Sequence, residues 1–139
     1  MGVEKFKRPV LGETGFSLPV ETQTLSTALT TLTNEGVSLV TCDSSGQAND
    51  AKIPNPSRAD IRKIVVLDNQ TTSLEANFNT ASTGSLLWGT TFNTITAAST
   101  VNDTISFELI GASTSRWALV NLSSTVDWTL SASTGSTGQ

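Results

Sequence analysis

The chain is predicted to fold as an all-β domain, a β-sandwich or jelly-roll-like body with an extended N-terminal arm. Three observations point there. Alternating aliphatic and polar residues recur in several short segments, turn-forming residues separate those segments at intervals of about 8–12 residues, and Thr and Ser are unusually abundant. The last is a matter of count: 23 Thr and 18 Ser in 139 residues. Beta-branched Thr fits a pleated surface better than a helix, where it loses rotamer freedom.

The clearest element is Asp103 to Ile110, where Ile105, Phe107 and Leu109 alternate with Thr104, Ser106 and Glu108. Such a two-residue period places one face on a core and the other on solvent. Val126, Trp128 and Leu130 alternate with Asp127 and Thr129 in the same manner, as do Leu74, Ala76 and Phe78 with Glu75 and Asn77. The run Ile64-Val65-Val66-Leu67 is apolar at every position, so it predicts a central strand covered on both sides. Val37–Val40 and Trp117–Val120 are shorter runs of the same kind. Turn residues stand between them at Asp43-Ser44-Ser45-Gly46, Pro54-Asn55-Pro56, Asp68-Asn69, Gly84, Asn102-Asp103 and Gly111-Ala112-Ser113. One window is two-sided: Leu25, Ala28, Leu29 and Leu32 have helical spacing, yet the surrounding threonines favour strand.

Residues 1–24 read as the arm, 25–131 as the β domain and 132–139 as a flexible tail. Pro9, Gly12, Gly15 and Pro19 interrupt any regular element in the arm. Its apolar residues Phe6, Val10, Leu11, Phe16, Leu18 and Val20 are spaced as anchors for a surface, on this domain or a neighbour; the plainer reading is a loosely ordered terminus.

Composition narrows the function. A single Cys and no His leave no disulfide framework and no usual zinc ligand set, so neither metal nor cofactor is expected. Net charge is −4 and concentrated in the second half, because seven of the eight basic residues lie at or before Lys63. Nucleic acid is therefore a poor partner. No apolar run approaches the ~20 residues of a membrane span, and the N-terminus lacks a signal-peptide core, so a soluble chain with no membrane partner is expected.

Catalysis finds little support. Without His, the remaining routes are a Cys nucleophile, a Ser–Lys pair or paired carboxylates. Cys42 reads as a small buried hydrophobe, and Glu108 would have to meet Asp127 or Glu75 across strands. The three tryptophans, Trp88, Trp117 and Trp128, are expected to pack in the core, and an exposed one would instead suggest a sugar-stacking platform. Asp43 to Asp50 lacks the calcium-loop spacing and reads as a polar turn. Asn69, Asn102 and Asn121 begin glycosylation-type triplets of the kind that arise by chance in so Thr-rich a chain. Arg58, Asp60, Arg62 and Lys63 form a charge cluster, either solvated or placed to make subunit contacts.

The succession Arg62-Lys63-Ile64-Val65-Val66-Leu67, Ser73-Leu74-Glu75-Ala76-Asn77-Phe78, Asp103 through Gly111, and Arg116-Trp117-Ala118-Leu119-Val120 resembles structural proteins of tailed bacteriophages. These are capsid decoration (cement) proteins and head- or tail-fibre modules. The likeness spans about residues 60–121, without the proline of the family's Leu-x-Pro stretch or its Gly-Gly turn. The resemblance implies a non-enzymatic homotrimer on the virion surface, bound to the major capsid protein. The arm would grip the shell, with Lys5, Lys7 and Arg8 meeting acidic groups and Phe6, Val10, Leu11, Phe16 and Leu18 supplying apolar anchors. A fibre or adhesin module that binds host-surface glycan is the alternative.

Overall fold

The structure, a computed structural model, describes residues 18–42, 48–68, 74–80, 87–99, 104–123 and 127–132. Among them there is no helix, and ten strands form two five-stranded sheets. The strands are β1 Val20–Leu25, β2 Thr30–Thr31, β3 Gly36–Cys42, β4 Ala48–Lys52, β5 Arg62–Asp68, β6 Leu74–Asn79, β7 Thr94–Ser99, β8 Thr104–Ser113, β9 Arg116–Leu122 and β10 Asp127–Ser131. Sheet A has the order β1-β3-β5-β8-β9 and sheet B the order β10-β7-β6-β4-β2. Of the two architectures expected, the sandwich is the one formed.

The topology is not an ordinary antiparallel meander. From β1 to β6 the chain alternates between sheets, so β1, β3 and β5 lie parallel in A while β2, β4 and β6 lie parallel in B. A parallel neighbour needs a crossover connection, and here the strand of the opposite sheet supplies it. The second half closes the sandwich with antiparallel pairs: β7 on β6, β8 on β5, β9 on β8 and β10 on β7.

The core follows the pleat. Inward residues Leu25, Val40, Val65, Leu67, Ile105, Phe107 and Leu109 of sheet A face Ala51, Ala76, Phe78, Ile95 and Ala97 of sheet B, all buried. Phe107 stands edge-on to Phe78 at 5.0 Å and to Trp128 at 5.9 Å, the T-shaped geometry that aromatic quadrupoles favour. Cys42 belongs to this core.

The window Leu25–Thr33 is strand, turn and short strand rather than helix. The domain also begins earlier than expected, because residues 20–24, assigned to the arm, are part of β1 and pair with β3. The inward residues of β1 there are Glu21 and Gln23, which give no hydrophobic alternation to read.

Candidate functional site

Strand directions gather several features at one end of the sandwich. Strands β1, β3 and β5 start there, β4, β6 and β8 finish there, and β9 starts there. The same end therefore carries Leu18–Pro19, the 32–35 connection, the 53–61 loop, the Trp88 turn and the end of β10. The hydrogen bond from Asn93 N–H to Ser131 O, 3.0 Å, ties the last two together.

The entry of the chain is clamped. Val37 N–H donates to Pro19 O at 2.8 Å, and Gly36 adopts φ +76° directly beneath it. A Cβ at position 36 would lie 2.2 Å from that oxygen, so only glycine fits. Beside the clamp, a cleft of about 220 Å³ is lined by Pro19, Val20, Glu21, Thr33, Asn34 and Glu35.

Beneath the cleft lies a buried ionic cluster joining three parallel strands. Lys63 of β5 is fully buried, and its Nζ lies 3.3 Å from Glu21 Oε1, 2.9 Å from Thr33 Oγ1 and 2.5 Å from Ser38 Oγ. Glu21 Oε1 also accepts from Thr33 N–H at 2.8 Å and from the Ser38 hydroxyl, and Oε2 accepts from Gln23 at 3.2 Å. Burial pushes the Glu21 carboxyl up, but the donors from Ser38, Thr33 and Gln23 outweigh it and hold the group at about 2. Burial pulls the Lys63 ammonium below its ordinary value, with the Glu21 charge opposing. A Lys base must be neutral to act, whereas this one faces an ionised carboxylate; chemically the cluster is a strut between strands.

Of the predicted contact residues, Arg58 and Asp60 are exposed on the 53–61 loop at this end. Asp60 N–H donates to Gly111 O at 2.9 Å, and Gly111 N–H donates to Ile61 O at 2.8 Å, pinning that loop over the end of β8. A Cβ on Gly111 would come within 2.6 Å of Arg58 O. Arg62 points out of sheet A and pairs with Glu108, its Nε 2.6 Å from Oε2. Lys63 points inward, so its charge is spent inside its own chain. Leu18 is exposed at the entry, while Lys5, Phe6, Lys7, Arg8, Val10, Leu11 and Phe16 lie outside the described residues.

The tryptophans divide. Trp117 is buried and donates from Nε1 to Pro54 O at 3.0 Å; Trp128 is half-buried and donates to Ser123 O at 2.7 Å. Trp88, expected in the core, is 64% exposed. Its turn is closed by Leu87 N–H to Phe92 O at 2.8 Å and Thr90 N–H to Leu87 O at 3.0 Å, and Trp88 N–H is held by Trp117 O at 2.8 Å. Leu87 is the buried foot of this turn and Phe92 its second exposed aromatic. An exposed indole leaves no periodic signal, which is why sequence reasoning misplaced it.

The proposed carboxylate pairs do not form: Glu108 lies on sheet A, Glu75 and Asp127 on sheet B. Asp50 accepts from Asn77 at 3.0 Å, Asn121 is exposed on β9, and Asp43, Asn69 and Asn102 lie outside the described residues. Among the described residues, no group of three or more acidic, Cys or His side chains is placed to hold a metal ion, and no helix is long and apolar enough to cross a membrane. Compared with known proteins, the chain matches no family model, no curated protein and no solved structure.

Proposed function

We propose that this chain is a non-catalytic virion structural protein, a capsid decoration (cement) protein that binds and stabilises a shell of major capsid protein as a homotrimer. The observation supporting this reading is the convergence at one end of the sandwich. The chain enters there through the Pro19–Gly36 clamp, beside the charged Arg58–Asp60 loop and the exposed Trp88 turn. Residues 1–17 thus join the body at the end where an aromatic and two charges are already exposed. Two linked contacts on one partner convert the second binding event into an intramolecular one, which raises avidity by about 10²–10⁴ without any new contact.

The experiment uses shells stripped of this protein from the phage that encodes it. The full chain is expected to coat them. Deleting residues 1–17 and, separately, Trp88→Ala should each lower occupancy at least tenfold, with unchanged circular dichroism. A full chain that leaves the shells bare overturns the reading.

A glycan-binding fibre or adhesin module is the second reading, and the exposure of Trp88 favours it, since an indole face stacks on the apolar face of a sugar ring. It requires Trp88 emission to shift on adding host-surface oligosaccharide rather than shells.

A further inference from the structure

The two outer faces of the sandwich differ in chemistry. On sheet B, Asp50, Asn77, Thr96 and Thr129 stand in one cross-strand row, with Asn77 Nδ2 donating to Asp50 Oδ1 at 3.0 Å and Thr96 Oγ1 to Asn77 Oδ1 at 2.8 Å. That face satisfies its own polar groups and suits water. On sheet A the corresponding row is Val20, Val37 and Ile64, with Leu39 and Val66 in register beside it. Val20, Leu39 and Val120 are 62%, 42% and 49% exposed, and Ile64 and Val66 are only half-buried. The run Ile64–Leu67 has the pattern of a strand covered on both sides, yet nothing among the described residues covers its outer side.

We infer that the outer face of sheet A is buried against further copies of this same chain, meeting around a symmetry axis. Charge favours a second copy as the occupant. The chain carries −4 overall, so copies repel except where they are neutral, and the rows of Val20 and Leu39 carry no charge on β1, β3 or β5. Of the charges bordering them, Arg62 and Glu108 neutralise each other within one copy, and Asp68 stands exposed at the far edge, in the row of Thr24 and Thr41. Size agrees. Five strands about 4.8 Å apart, with three outward rows about 7 Å apart, give a whole face of roughly 500 Å² per copy, the rows of Val20 and Leu39 its apolar part and the row of Thr24, Thr41 and Asp68 its polar border; two such faces bury about 1,000 Å², the threshold of a specific interface. Two copies meeting face to face close the assembly, and three copies close it around a threefold axis when one half of the face meets the other half of the neighbour's. The number of copies rests on the homotrimer reading above; the face does not.

The test is sedimentation equilibrium of the full chain at tens of micromolar, with Leu39→Glu, Val20→Glu and the sheet-B control Thr96→Glu. Wild type and Thr96→Glu are expected to be oligomers, and the two face variants to dissociate at least 100-fold more readily with unaltered circular dichroism. Should Leu39→Glu fail to fold, Val20→Glu, on an exposed edge position, carries the test. A monomeric wild type overturns the inference, as does an oligomer indifferent to both face variants. A monomer that binds a hydrophobic dye only after deletion of residues 1–17 also overturns it and assigns the face to the chain's own N-terminal segment. A monomer that coats shells sinks this inference and the homotrimer while leaving shell binding standing, and an oligomer that ignores them sinks only the capsid reading.

Discussion

Glu21 shows how one side chain carries a pH dependence for the whole sandwich. Its carboxyl sits at about 2 when folded against an ordinary 4.5. A depressed acid stabilises the fold above its unfolded value and ceases to do so as pH falls through the folded one. Stability should therefore drop by about 3 kcal/mol between pH 4.5 and 2 through this group alone. Lys63 acts in the same direction at high pH: with its folded value lowered, the unfolded chain binds the extra proton, so stability linked to it rises towards pH 10.5. Glu21→Gln is expected to flatten the acid limb in urea titrations at pH 7, 4.5 and 2.5. It should also cost about 3 kcal/mol at pH 7 by leaving a buried ammonium without a counter-charge. Two glycines make a second comparison at this scale. Gly36 and Gly89 both adopt φ +76°, but a Cβ at 36 strikes Pro19 O whereas at 89 nothing lies within 4 Å. Gly89→Ala should cost about 1 kcal/mol of backbone strain, and Gly36→Ala at least about 1 kcal/mol more, read as the difference between their thermal midpoints.

Elements differ in how openly the sequence announces them. Strands β5, β8 and β10 were legible because their inward residues are large and aliphatic or aromatic, such as Val65, Phe107 and Trp128. Strands β1, β4 and β7 were not, because they turn Glu21 and Gln23, Asn49 and Ala51, or Ile95 and Ala97 inward, and small or polar residues give little hydropathy alternation. The ionic cluster was illegible for a related reason. Lys63 was visible as part of a charge cluster, but its counter-ion lies 42 residues away, and only the β1-β3-β5 register brings the two together. Arg58 and Asp60 were readable as surface charges since loops between strands run over the surface. The clamped end makes opposite predictions for two tryptophans, Trp117 near the start of β9 and Trp88 on its turn. Trp117→Ala removes a buried indole and its bond to Pro54 O, and should cost about 3–5 kcal/mol in urea unfolding. Trp88→Ala should change stability by less than about 0.5 kcal/mol while removing most of the acrylamide-quenchable fluorescence.

At the scale of the whole molecule, the parallel winding of β1 to β6 does not close its own core. The inner side of β5 and β6 is completed by Ile105, Phe107 and Leu109 of β8 and by Ile95 and Ala97 of β7, and the aromatic cluster takes Phe107 and Trp128 from the second half. Without those strands, β5 and β6 would become long edges with unpaired backbone groups, a template for aggregation. A fragment of residues 18–80 keeps every parallel pair but loses every antiparallel one. Each surviving pair closes through an excursion to the opposite sheet, so loop entropy is spent before any burial repays it. That fragment is expected to show a coil-like far-UV spectrum and no cooperative melt, whereas the full chain unfolds in one transition. A strand spectrum with a sigmoidal melt in the fragment would mean that the parallel winding is an independent folding unit and the antiparallel half an addition to it.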